Sequence, residues 1–345
     1  MINVIYLILP ILIFLINNFC KKNNLISNYT GERHQKFLGK KNIPLTGGIF
    51  LTLISVAIFY NNYLLFSIFL FIITILGFIS DIKLLSSPRL RFLIQSITII
   101  IFVYFMELNI ETTRVFLLDF LLKNLIFNII FITFCLTIII NGTNFIDGLN
   151  GLVLGYFLLI SIVIFKLDFF YELQIEKEQL VFFIFLLFCL FVFNIYNKLY
   201  LGDSGAYALG FIFSFFLITI YQNNQSISPF YIVLLLWYPA FENLFSIIRK
   251  FRIKKSPVFP DSKHLHQLLF NFIKKKFKKR DVYSNNLSSL IILFYNLCIF
   301  IAASVNIYET QYQIILIFIN VTIYVVAYIR LFNFSFNIKA KINKK

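Results

Sequence analysis

Residues 124–152 read NLIFNIIFITFCLTIIINGTNFIDGLNGL, an apolar run that gives way at Asn141 to a short polar stretch. The run is continuously apolar rather than alternating, which predicts a helix and excludes the strand pattern of a membrane barrel. Its length approaches the roughly 20 residues that cross a bilayer as a helix. Similar runs occur at 2–19, 45–60, 63–80, 90–106, 149–165, 180–194, 204–221, 228–247, 288–306 and 312–332. With 60% hydrophobic and 13% charged residues over 345 positions, the chain does not fit an ordinary soluble globule. The expected fold is an all-α, polytopic integral membrane protein of about 10 to 11 transmembrane helices, forming one domain over 1–345.

Charge orients the helices. If the N-terminus lies outside, 27 of the 31 Lys and Arg fall in cytoplasmic segments, leaving only Arg114, Lys123, Lys166 and Lys177 outside. That is the positive-inside bias, and it places the C-terminus in the cytoplasm. It also accounts for the net charge of +16 through contact with membrane lipids, so no nucleic acid is expected as a partner. Cys20, Cys135, Cys189 and Cys298 form no CxxC pair and read as small apolar packing residues. No small-residue cleavage site follows Cys20, so the first run reads as a retained helix.

On this count five polar islands share the cytoplasmic side: Arg33–Gly48, Ser80–Gln95, Asn141–Leu152, Leu201–Gly210 and Ser256–Gln267. They combine isolated carboxylates, glycines and Lys, Arg or His, the groups that phosphate chemistry requires. Asp203 follows Gly202 and precedes an apolar run, the position of a helix N-cap. A carboxylate at a helix N-terminus can hold Mg²⁺ against bound phosphates, since that ion takes one or two carboxylates plus phosphate oxygens; a plain cap is the alternative. Asn141, Asn144 and Asp147 recur every third residue, within a helical sector of about 120°. Polar groups at membrane depth are costly and mark function, although an interhelical hydrogen-bond patch would look the same. Asp81 stands before Lys83, Arg89 and Arg91, either as a surface ion pair or as part of a metal–phosphate assembly, with the Ser80 hydroxyl beside it.

The loop 249–287 carries Lys254, Lys255, Asp261, Lys263, His264 and His266, cations suited to a diphosphate. His264 and His266 are two apart, so a regular helix would point them apart, whereas an extended segment would aim both inward. After them LLFNFIKKKFKKR reads as a basic interfacial helix.

In order and content these five islands, over residues 33–267, resemble the polyprenyl-phosphate N-acetylhexosamine-1-phosphate transferase family, glycosyltransferase family 4. That family includes the phospho-N-acetylmuramoyl-pentapeptide transferases. The segment IPLTGGI matches the family's Pro and paired glycines at Pro44, Gly47 and Gly48, with Lys40 at the place of a family lysine. Asn144 and Asp147 match its Asn-x-x-Asp-Gly motif, and Asp203 its Gly-Asp-x-Gly aspartate. Glu242 in YPAFEN falls where relatives carry an acid, and Ser256–His266 matches the segment ending His-x-His.

The resemblance implies a multi-pass protein of the bacterial cytoplasmic membrane with its site facing the cytoplasm. It implies transfer of a sugar-1-phosphate from a UDP-N-acetylhexosamine to a polyprenyl phosphate, releasing UMP. Catalytic roles are expected for Asp81, Asp147, His264 and His266, and substrate contacts for Lys40, Ser80, Asn141, Asn144 and Lys263. Asp203 and Asp81 would hold Mg²⁺, with Mn²⁺ as a substitute; a homodimer is compatible with such a chain.

Three departures stand out. Ser80-Asp81 replaces the usual Asp-Asp, so Asp81 aligns with either acid of that pair. Asn150 replaces a second aspartate after Asp147, and Gln267 a third histidine, which points away from the muramoyl-pentapeptide substrate. Two other readings stay open: a secondary transporter of an anionic solute, for which the two related halves are not found, and an inactive homologue, motivated by Ser80.

Overall fold

The computed structural model describes residues 2–26, 43–85, 87–252, 263–278 and 280–342, with side chains from Tyr6 to Phe336. Lys40, Arg33, His34, Gln35, Lys254, Lys255 and Asp261 therefore lie outside the described residues. Among those described there are fourteen helices. They are α1 (Ile2–Lys22), α2 (Gly47–Phe59), α3 (Leu64–Asp81), α4 (Pro88–Phe105), α5 (Phe116–Leu122), α6 (Leu125–Ile146) and α7 (Leu152–Lys166), followed by α8 (Lys177–Ile195), α9 (Gly202–Asn223), α10 (Pro229–Leu235), α11 (Trp237–Arg252), α12 (Leu265–Phe277), α13 (Asp281–Ala303) and α14 (Thr310–Ile342).

All eleven apolar runs are helical, but not all as straight, full-length spans. Among the described residues seven helices are long and apolar enough to cross a membrane, or up to eight if α10 and α11, bent 78° about Leu236, form one span. Two further apolar helices, α2 and α7, fall short of that length, with 13 and 15 residues. At about 1.5 Å per residue they reach roughly 20 Å, short of the roughly 30 Å hydrocarbon core. The outer surface is greasy: Leu7, Phe116, Leu125 and Phe318 are each more than two-thirds exposed. A soluble monomer does not show apolar surface on this scale, so the sequence and the fold independently indicate a polytopic membrane protein.

Helix α9 is the axis. It is 94% buried over its apolar window, while the other spans are 17–44% buried. Its first turns are small, with Gly202, Ser204, Gly205, Ala206, Ala208 and Gly210, which lets neighbouring backbones approach closely. A Cβ at Gly77 of α3 would collide with the Ser204 backbone, and one at Gly48 of α2 with the Gly205 amide. A second band of closure is aromatic. Phe66, Phe102, Phe211 and Phe215 pack ring on ring, with Phe66 stacked on Phe215 at 4.6 Å. Because helix association in lipid depends on close packing and hydrogen bonds rather than on the hydrophobic effect, these small residues hold the ends of α2, α3 and α9 in one place.

Candidate active site

The segment before α2 meets the segment before α9. The Tyr200 amide donates to Pro44 O at 3.0 Å, Gly47 N donates to Tyr200 O at 3.0 Å, and Gly48 N donates to Leu201 O at 3.1 Å. Two segments 153 to 156 residues apart in sequence thus share backbone hydrogen bonds. The chain turns into α9 through Gly202, whose φ of +74° is left-handed and natural only for glycine.

Sequence reasoning placed Asp203 at the N-cap of this helix. The structure corrects that: the N-cap is Leu201, which supplies no side-chain bond, and Asp203 lies inside the first turn. The cap comes from another helix. Asp81, the last residue of α3, accepts the Asp203 amide at Oδ1 (2.8 Å) and the Ser204 amide at Oδ2 (3.1 Å). Helix ends leave orphan N–H groups, and this carboxylate satisfies two of them.

Capping by Asp81 frees the Asp203 carboxylate to point into the site. Its Oδ2 accepts from Ser80 Oγ at 2.5 Å and from an Arg91 guanidinium nitrogen at 3.1 Å; the same nitrogen also donates to Ser80 Oγ. Arg91 and Asp203 remain 25% and 30% exposed, so this ion pair is open to a ligand. Among the described residues Asp203 Oδ1 has no hydrogen-bond partner.

Asp147 approaches from a third direction. It terminates α6 with a non-helical ψ of 58°, as the chain turns through Gly148 toward α7. Its carboxylate makes no hydrogen bond or ion pair among the described residues, and the same holds for the Asn144 amide. Burial, together with the negative charges of Asp203 and Asp81, pushes the Asp147 carboxyl up to about 8. The turn after it is held by asparagines. Asn285 Oδ1 accepts the Asn150 amide at 2.7 Å, and the Asn150 side chain donates to Asn197 Oδ1 at 2.8 Å. A carboxylate at position 150 would have no proton for Asn197, which gives the Asn-for-Asp departure a local reason.

The His-x-His segment closes the site. His264 is extended and starts α12, His266 is in the first turn, and both rings are buried and stacked at 5.6 Å, 13° from parallel. The extended entry thus aims both inward, as the spacing allowed. A Cβ on Gly148 would lie 2.6 Å from His266 Nε2, so His266 abuts the Asp147 turn. Among the described residues neither nitrogen of His266 has a hydrogen-bond partner. Burial, then the neighbouring His264, lowers the His266 imidazole to about 3, so it is neutral at physiological pH. Gln267, where relatives carry histidine, accepts the His264 amide at 3.3 Å and secures the start of α12.

Other expected residues are placed differently. Asn141 spends its amide protons on Gln95 of α4 (2.8 Å) and on Thr137 O (2.9 Å), the interhelical contact that was its alternative reading. Lys263 sets its ammonium over the Phe332 and Phe336 rings of α14 at 5.5 and 5.1 Å. Sequence reasoning left two participants without a role. Arg91 was one base among several, with nothing local to pair it with Asp203. Glu242 was visible as an acid inside an apolar helix, a costly placement that signals function.

Could these residues hold a divalent ion? Among the described residues no three His, Cys, Asp or Glu side chains converge as a closed metal cage. Mg²⁺ does not need one, since one or two carboxylates plus phosphate oxygens suffice. Among the described residues Asp203 Oδ1 and Asp147 offer uncommitted carboxylate oxygens, and the mutual repulsion felt at Asp147 is what a cation would relieve. The donor set fits the ion: Asp203 and Asp147 would be its holders, whereas Asp81, expected with Asp203 as a ligand, spends its carboxylate on the Asp203 and Ser204 amides.

Comparison with known proteins gives a consistent picture. The family described as glycosyl transferase family 4 matches residues 63–221. An undecaprenyl-phosphate alpha-N-acetylglucosaminyl 1-phosphate transferase of Thermotoga maritima is 29% identical over 68% of this chain and 70% of its own length. A phospho-N-acetylmuramoyl-pentapeptide-transferase of Prochlorococcus marinus is 29% identical over 60% of this chain and 66% of its own. A probable undecaprenyl-phosphate N-acetylglucosaminyl 1-phosphate transferase of Bacillus subtilis is 30% identical over 59% and 56%. The chain thus spans a little over half to about 70% of the length of these relatives.

Proposed function

The chain belongs to glycosyl transferase family 4, and from that premise we propose that it transfers a sugar-1-phosphate from a UDP-N-acetylhexosamine to a polyprenyl phosphate. The products are UMP and a polyprenyl-diphosphate-sugar, the first lipid-linked unit of a cell-surface glycan. One observation carries the reading: Asp81, Asp203, Asp147 and His266 come from α3, α9, α6 and α12 and meet at one end of the bundle. The polar contacts around Arg114, with Gln225 O, Ser226 O and Tyr308 O, lie at the other end.

In this reading a lipid phosphate oxygen attacks the β-phosphorus of the UDP-sugar. The new P–O bond forms as the bond to the α-phosphate oxygen breaks, and UMP leaves with that electron pair. One phosphoanhydride replaces another, so the reaction is nearly thermoneutral and runs both ways. A phosphate is already a competent nucleophile, and the protein's task is positioning and charge stabilisation. Mg²⁺ held by Asp203 and Asp147 would supply charge neutralisation at the diphosphate. Arg91 adds a guanidinium at the same place. Neutral His266, with both ring nitrogens uncommitted among the described residues, offers a hydrogen bond to a phosphate oxygen or sugar hydroxyl, and Asn144 offers an amide. Asp81 acts by holding the turn that presents Asp203.

The test is exchange. Purified full-length protein with polyprenyl phosphate and a divalent ion should move labelled UMP into UDP-N-acetylglucosamine or a related UDP-sugar, and only with the lipid present. Exchange without lipid phosphate would replace direct attack by a covalent phospho-enzyme; no exchange with any UDP-N-acetylhexosamine would reject the function.

A further inference from the structure

Glu242 is fully buried on α11, one side of the broken span, and every polar contact of its carboxylate is internal. Oε1 lies 2.9 Å from His264 Nδ1 and accepts the Leu265 amide at 3.4 Å; Oε2 accepts the Tyr324 hydroxyl of α14 at 2.7 Å. An unpaired charge at this depth would be very unfavourable, so the three donors explain why the acid is tolerated. They do not explain why it is there, since an apolar residue would pack without needing them. What the carboxylate does is fix a ring. An ionised carboxylate only accepts, so His264 must present Nδ1–H to it, which sets the tautomer and the ring plane.

The consequence passes along the stack. The His264 ring contacts Phe145 of α6, at 5.5 Å, and stacks on His266 at 5.6 Å. His266 in turn abuts Gly148 through Nε2. Arg249, one to two turns after Glu242, braces the same segment by donating to Lys263 O at 2.7 Å and to Tyr328 Oη at 2.9 Å. The last helix, α14, thereby reaches the site through Tyr324 and Tyr328, although it lies beyond the matched family region. We propose that Glu242, anchored by Tyr324, is a positioning residue that locks His264 as the Nδ1–H tautomer and so orients His266 toward the Asp147–Gly148 turn. Carboxylates that orient histidines in this way act strongly on chemistry without touching the reacting atoms. The catalytic consequence rests on the proposed transferase reaction; the tautomer does not.

The chain has only three histidines, so full-length protein labelled with ¹⁵N-histidine gives at most three imidazole spin systems. His264 is assigned by its disappearance in His264→Asn. In the wild type its Nδ1 should be protonated and its Nε2 not. Glu242→Gln, isosteric but neutral, should shift it to a mixture of tautomers. A wild-type His264 protonated only at Nε2, or a spectrum unchanged by Glu242→Gln, overturns the proposal whether or not the enzyme is active. In the exchange assay Glu242→Gln should lose about 50-fold in kcat with the KM for UDP-sugar changed less than about threefold. Tyr324→Phe, which removes one donor and no packing volume, should lose about three- to tenfold. Combining Glu242→Gln with His264→Asn should cost no more than His264→Asn alone, because both remove one unit. Multiplicative losses would mean that Glu242 does not act through His264. A wild type without exchange activity rejects the transferase reading and leaves the spectroscopic result to decide the tautomer.

Discussion

Asp81 caps the helix that carries Asp203: its two carboxylate oxygens accept the backbone amides of Asp203 and Ser204 at 2.8 and 3.1 Å, across 122 and 123 residues of sequence. The relationship divides the labour between two neighbouring acids, one holding the backbone and the other left to pair with Arg91 at the open site. A Cβ at Gly202 would lie 2.7 Å from Asp81 Oδ2, so the cap also needs the glycine turn.

Asp81→Ala removes both acceptors from a buried helix start. Loss of a cap costs about 1 kcal/mol, within a range of about 0.5 to 2, and the thermal midpoint should fall along with activity. Asp81→Asn keeps one acceptor and should recover most of the stability while remaining impaired in exchange. Thermal unfolding in detergent, run beside the exchange assay, separates the two. Full activity in Asp81→Ala would remove Asp81 from the site.

Asp203→Asn preserves shape and takes away the charge that pairs with Arg91 and would face a metal. Metal stabilisation of phosphoryl charge is worth several kcal/mol, and each ~1.4 kcal/mol is tenfold in rate. Exchange should fall about a thousandfold or more while the protein stays folded. Near-normal turnover would reduce Asp203 to a structural residue.

Ser80→Asp restores the acid pair usual among relatives. Ser80 Oγ lies 2.5 Å from Asp203 Oδ2, so the new carboxylate meets an existing one. The variant should be unchanged or slower, and should need more divalent ion for half-maximal rate. A gain of about tenfold would show that Ser80 marks a weakened site.

The Asp147 carboxyl, just past the end of α6, gives a pH signature. Its folded value is raised to about 8 from an ordinary carboxylate value near 4. Between those values the folded state holds a proton that the unfolded state has lost, so stability falls as pH rises through that window and levels off above it. In chelator-treated protein the thermal midpoint should decline from about pH 5 to pH 8, and Asp147→Asn should flatten the decline. Added Mg²⁺ should flatten it too. A slope that survives Asp147→Asn assigns the effect to another group.

The charge bias predicts the orientation. A reporter active only in the cytoplasm should give signal when fused after Lys279 and none when fused after Tyr171. The reverse result would invert the topology and put the site on the outer face.

The class of fold was legible because its signal is local. Apolar runs such as 124–140 and 204–221 declare helices in lipid whatever surrounds them, since the bilayer leaves backbone groups no other partner. The short motifs were legible for the same reason: Gly202-Asp203, Asn144 to Asp147 and His264 to His266 each carry their chemistry within a few residues. Span number was less so, because α2 and α7 are apolar but short, and length alone distinguishes a short apolar helix from a full crossing. Only the tertiary structure decided which of these groups meet. Asp203 takes its cap from Asp81 and its counter-ion from Arg91, 112 residues away; Glu242 takes its anchor from Tyr324, 82 residues away. Such pairings depend on how closely helices approach, which at α9 is set by glycines and serines whose small size has no chemical signature of its own. The sequence by itself determined a helical membrane protein with a set of short polar motifs, because helix formation in lipid and motif composition are local. The division of roles among Asp81, Asp203, Asp147 and the two histidines was decided by packing, because a carboxylate becomes a cap, a ligand or an orienter only through the group placed opposite it.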